Sequence, residues 1–163
     1  RVGLVLTFFT HIYFTYLVIL ENIQARGGHA RYAVEQSVGT RNAATKLMPF
    51  TGTFLFVYLI WHLFDFAFVN QHGALALIHG VNYGLYGVVV NSLSNPFNAA
   101  FYILAILCLG FHLMHGIASV VQTFGFNHPF WSPIIKRFAL YVSAVLAGTF
   151  CSIPIHIILL GLK

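Results

Sequence analysis

The run Gly110-Phe111-His112-Leu113-Met114-His115-Gly116-Ile117-Ala118-Ser119-Val120-Val121-Gln122-Thr123-Phe124-Gly125 decides how the rest of the chain is read. It sets two histidines, His112 and His115, one helical turn apart inside a long apolar stretch. Gly116 lies one turn beyond His112, so the backbone there carries no side chain to keep a flat ligand away. An imidazole in hydrocarbon costs free energy unless it is hydrogen-bonded or bound to a metal. Ionisable residues inside a membrane span default to functional roles. His112 therefore reads as an axial ligand to a haem b within a membrane helix bundle. The plainer reading makes both histidines buried polar residues bonded to neighbouring helices.

Composition sets the frame for that run. Of 163 residues, 59% are hydrophobic and 7% charged, and the mean hydropathy is +0.83. A soluble domain carries about 25% charged residues, and a core of this size cannot hide so much apolar surface from water. The chain reads as an all-α integral membrane protein, one transmembrane haem-binding domain over residues 1–163. A water-soluble enzyme is excluded. Cys108 and Cys151 lie in apolar runs without metal spacing and read as small apolar residues. Nine histidines against three acids form the main chemical signal. The net charge of +5 does not point to nucleic acid, because the basic residues flank the apolar runs.

Four spans follow from hydropathy, at residues 2–20, 47–69, 96–121 and 138–162. The first carries His11. The second opens on Met48-Pro49, where a proline in the first helical turn has no N–H partner to lose. It carries His62 and Asp65, three apart and so on one face. The third carries His112 and His115. Pro154 should kink the fourth, near His156. Between spans two and three, residues 70–95 lack Lys and Arg, and Ile78–Val90 is apolar enough to lie along the membrane surface. Loops 22–46 and 122–137 hold Arg26, Arg31, Arg41, Lys46, Lys136 and Arg137, so both should face the cytoplasm of a multi-pass protein in a bacterial inner membrane. The chain opens at Arg1 and is apolar by Val2, without a charged leader. It reads as a fragment or a processed product with a segment upstream.

Depth singles out a pair. His11 precedes Glu21 by ten residues and His112 precedes Gln122 by ten, each about 15 Å from the same boundary. Two imidazoles level on different helices suit a bis-histidine haem. His62, about 21 Å from that side, has no level partner. His115 reads as a residue near a propionate or a quinone. Asp65 is either a hydrogen-bonded bundle residue or a proton relay. Arg41 and Lys46 are first of all positive-inside anchors, and could also pair with haem propionates. Ligation is not expected for the loop residues His29, His72, His79 and His128.

Leu20–Arg26, Lys46–Gly52, Ile60-Trp61-His62-Leu63, Phe111–Gly116 and Gln122–Gly125, in this order and spacing, resemble the cytochrome b558 membrane-anchor subunit of succinate dehydrogenase and fumarate reductase. The resemblance implies five transmembrane helices in the full-length protein and two b haems. It implies a flavoprotein subunit and an iron–sulfur subunit on the cytoplasmic face, and exchange of electrons with a quinone, usually menaquinone. By the same resemblance, His11 and His112 hold the haem nearer the iron–sulfur subunit, and His62 holds the outer one. The outer haem's second ligand then lies outside this sequence. Two other readings stay open. One is a haem b subunit serving a formate dehydrogenase, hydrogenase or nitrate reductase. The other is a cofactor-free transporter or structural membrane protein.

Overall fold

A computed structural model describes residues 2–25 and 43–161. The described chain is nearly all helical: α1 (Val2–Ala25), α2 (Ala43–His62), α3 (Leu85–Leu93), α4 (Pro96–Thr123) and α5 (Trp131–Leu160). Four stretches, Val2–Ala25, Leu47–Ala67, Pro96–Thr123 and Trp131–Leu160, are long and apolar enough to cross a membrane, and the chain is a multi-pass membrane protein. Contacts divide it into two compact units, Arg1–Thr40 and Arg41–Lys163, each considered by itself. The first contributes α1, a single helix with no buried residue.

In the second unit α4 runs along α5 and also packs on α2. Most large side chains here are exposed, among them Phe97, Phe111 and Tyr141. That is the pattern expected when lipid rather than a protein core covers the apolar surface. Where helices approach, small residues sit between them. A Cβ on Gly110 would stand 3.1 Å from the Cβ of Ala147, and Ala99, Ala105 and Ala139 have no exposed surface.

The second span is not one uniform helix. After His62 the chain widens into a π-helical turn, Leu63–Ala67, in which the N–H of Phe68 reaches back to the carbonyl of Leu63 at 2.9 Å. Such turns recur at functional sites because they re-aim side chains within a continuous helix. Asp65 lies inside this turn.

Four expectations change. First, α2 begins at Ala43, so Pro49 is an interior residue and not part of the first turn. Its missing N–H lies in a stretch where Thr53 donates to the Pro49 carbonyl at 2.9 Å. Second, the basic segment 122–137 is a loop only from Phe124 to Phe130. Pro133 occupies the first turn of α5, where it has no bond to break, and Lys136 and Arg137 ride on the helix. Third, α1 continues past Glu21 to Ala25, so the polar segment 22–46 is helical at both ends. Fourth, Ile78–Val90, expected only as an apolar stretch, has structure of its own. A hairpin pairs β1 (Leu77–Ile78) with β2 (Val81–Asn82) through His79 and Gly80, both at positive φ, the two-residue turn that matches strand twist. Helix α3 then buries Val88, Val90 and Leu93. Gly87 permits this packing, since a Cβ there would overlap the carbonyl oxygen of Ala76 at 2.2 Å. Asn91 adds bonds of 2.9 Å to the carbonyls of Leu75 and Leu77.

Candidate cofactor-binding site

The face of α2 turned to α4 carries Thr51, Tyr58 and His62, at helical spacing. Thr51 meets α4 at His112, whereas Tyr58 and His62 meet it at Tyr102, and the two histidines of this unit that sit deepest in their spans have different surroundings.

His112 is held by Thr51. The Thr51 hydroxyl stands 3.0 Å from His112 Nδ1 and donates to the carbonyl of Met48 at 3.1 Å. A carbonyl only accepts, and a hydroxyl has one proton. Both contacts are satisfied together when Nδ1–H donates to Thr51 and Thr51 donates onward to Met48. That tautomer leaves the lone pair on Nε2, the nitrogen a metal would take. Gly52 lies beside the ring, and a Cβ there would make an ordinary van der Waals contact with His112 Cε1 at 3.4 Å. A Cβ on Gly116 would meet no atom within 4 Å, in keeping with the open backbone expected one turn from His112.

His62 is surrounded by rings, with centroids of Phe66, Tyr58 and Tyr102 at 5.2, 5.7 and 6.1 Å. Its Nδ1 is buried without a hydrogen-bond partner. It lines a cavity of about 490 Å³ between α2, α3, α4 and α5. On α4 the wall runs from Tyr102 to Leu113, eleven residues or about 16 Å. The lining is apolar apart from a few groups, and one of these is also unsatisfied. Ser143 is 2% exposed and its Oγ has no partner among the described residues, as is true of His62 Nδ1. Buried polar atoms are nearly always paired, so these two stand out among the described residues.

Asp65, three residues from His62, is well satisfied. Its Oδ2 accepts from Tyr102 Oη at 2.9 Å, Asn98 Nδ2 at 3.3 Å and Ser92 Oγ at 3.4 Å. Asn98 also donates to Ser92 Oγ at 2.6 Å and to the Ser92 carbonyl at 3.1 Å. The carboxylate ties the π turn to α3 and α4. The reading of Asp65 as a hydrogen-bonded bundle residue is thus realised in the fold, and that leaves its proton role to experiment.

The other expected site residues fall as follows. His11 is on α1, in the separate unit, so its pairing with His112 is not addressed by the fold. His115 is half-buried on α4 and makes no hydrogen bond among the described residues. Arg41 and the side chain of Lys46 lie outside the described residues. His128 accepts from the Phe130 N–H at 3.2 Å, and His156 is exposed on α5. Among the described residues no three His, Cys, Asp or Glu side chains gather to hold a bare metal ion. Axial ligation needs only one side chain on each side of a porphyrin, so this leaves the haem reading untouched. Sequence reasoning missed Thr51 and Ser143.

No protein-family model matches the chain, and no solved structure matches it. A curated protein does, at 28% identity over 106 residues. The chain is similar to the succinate dehydrogenase cytochrome b558 subunit of Bacillus subtilis. The match covers 65% of this chain and 47% of the relative, so the chain spans about half the length of the protein it resembles. It bears out the resemblance drawn from the motifs.

Proposed function

We propose that this chain is a haem b membrane anchor of a succinate dehydrogenase or fumarate reductase, carrying electrons between an iron–sulfur subunit and a quinone, in the first instance menaquinone. The observation that carries the proposal is His62, whose ring lines an apolar cavity of about 490 Å³ and whose Nδ1 is buried with no hydrogen-bond partner among the described residues. The likeness to a cytochrome b558 subunit supports it.

Two haems are expected, and the span histidines are of the kind that ligate them. His112 and His11 would hold one. His62 would hold the other, with a second ligand from outside this sequence. When bound, haem supplies one-electron transfer at a potential set by its axial ligands, hydrogen bonds and burial. The chain's own residues do the rest. Thr51 and Met48 orient the ring of His112. Leu93, Ile106, Leu109 and Phe150 line the cavity and exclude water from it. Arg41, Lys46 and His115 would serve propionates or a quinone. Asp65 would handle a proton for quinone chemistry at Oδ1, since its described donors all fall on Oδ2. Loops 22–46 and 122–137 would face the cytoplasm, where a flavoprotein and an iron–sulfur subunit would dock. The dicarboxylate chemistry would belong to that flavoprotein.

Co-purification of the intact complex tests this reading. A reduced-minus-oxidised spectrum with split α and β bands, together with a flavoprotein that oxidises succinate, is the expected result. A coloured complex with a formate- or hydrogen-oxidising partner would move the chain to another oxidoreductase. A colourless protein would return it to the transporter or structural class.

A further inference from the structure

We propose that Thr51 is a positioning residue that sets the donor strength of His112, and through it the reduction potential of the haem His112 would hold. The inference rests on the haem reading above. It starts from the relay His112 Nδ1–H to Thr51 Oγ1 to the Met48 carbonyl, with contacts of 3.0 and 3.1 Å.

The relay does two things. It fixes the tautomer, so that Nε2 presents its lone pair and Nδ1 carries the proton. It also pulls on that proton. An imidazole that donates through Nδ1 gains imidazolate character and becomes a stronger ligand, which favours the ferric state and lowers the potential. Because Thr51 is itself a donor to a backbone carbonyl, its oxygen is a better acceptor than an isolated hydroxyl.

The relay is built into the packing between α2 and α4. Cys108 Sγ, one turn before His112, lies 3.9 Å from the Thr51 carbonyl. Gly52, next to Thr51, stands beside the same imidazole edge. Serine could keep the hydroxyl at this place. Valine would keep the shape of threonine and lose it.

The test uses the full chain in its assembled complex, with Thr51→Val and Thr51→Ser compared with the parent. Each haem's midpoint potential is measured by redox titration, and the ferric haems are followed by electron paramagnetic resonance. Thr51→Val should raise one haem's potential and leave the other unmoved. The expected change is about three- to tenfold in the ferric/ferrous equilibrium, up to about 59 mV for a one-electron couple. Thr51→Ser should restore the parent value and the parent ferric signal. Loss of one haem in Thr51→Val but not in Thr51→Ser also supports the proposal, because the hydroxyl alone differs in kind. Should Thr51→Val not assemble, Thr51→Ala removes the same hydroxyl. A complex that loads both haems with unchanged potentials in the hydroxyl-free variant overturns the proposal, as does equal disturbance by valine and serine. A parent complex with no haem overturns the haem reading itself, a separate outcome.

Discussion

His62 and Asp65 stand three residues apart at the junction of a helix and a π turn, and the fold treats them in opposite ways. Asp65 receives three donors on one oxygen from α3 and α4. His62 keeps a buried ring nitrogen with none, beside an apolar cavity. A buried polar group costs free energy unless it is paired. Asp65 is therefore accounted for by the protein alone. The described residues leave that nitrogen of His62 unpaired. The lesson is that an ionisable residue inside a span is not by itself a functional signal; the unsatisfied one is. His112 lies between the two cases, with one ring nitrogen engaged by Thr51.

The contrast can be broken most sharply at the histidine. Replacing His62 with Leu should remove one haem per chain and leave the other, while His112→Leu should remove the haem that survives in the first variant. Pyridine haemochrome quantification reads this directly. Loss of both haems from either variant would mean that the histidines stabilise the bundle jointly.

Next comes Asp65. Substitution by Leu strands Tyr102, Asn98 and Ser92, and should cost about 2–4 kcal/mol, since a hydrogen bond to a charged group is worth roughly 1.5–3 kcal/mol. A lower melting temperature in detergent checks this. Asp65→Asn keeps an acceptor for the same donors, so it should retain the haem spectra while slowing quinone turnover. An unchanged turnover rate would reduce Asp65 to a structural clamp.

A smaller effect is expected at Gly87. Alanine there collides with the Ala76 carbonyl and must push α3 aside, at about 1–3 kcal/mol for overpacking. Because Ser92 rides on α3, the Asp65 cluster should loosen while His112 stays undisturbed, so the His112 haem signal should not move. The smallest effect belongs to Ser143→Ala. Removing a buried, unpaired hydroxyl should stabilise the cofactor-free protein, by about 1 kcal/mol. A loss of stability confined to the loaded protein would identify Ser143 as a contact to the bound group.

The spans were legible because lipid-facing helices must be apolar over about 20 residues, and each expected span contains or overlaps an observed helix. Their ends were less so. Asn22 and Gln24 look like loop residues, yet Asn22 bonds back to the Val18 carbonyl at 2.8 Å and the helix continues. Depth counted from Glu21 therefore started four residues early. The π turn left no mark in composition. The donors to Asp65 lie 27 to 37 residues away in sequence, beyond the reach of helical periodicity. Thr51 and Ser143 were hidden for one reason. A hydroxyl in a membrane helix ordinarily bonds its own preceding turn, as Thr149 does to Val145 at 2.8 Å, so nothing in sequence separates an occupied hydroxyl from an unsatisfied one.

The central claim is that this membrane unit exists to hold haem. Its most direct test is a dithionite-reduced minus oxidised spectrum of the purified complex, with haem counted per copy of this chain. The account predicts two b-type haems per chain. A complex that is intact, folded and free of haem would contradict it.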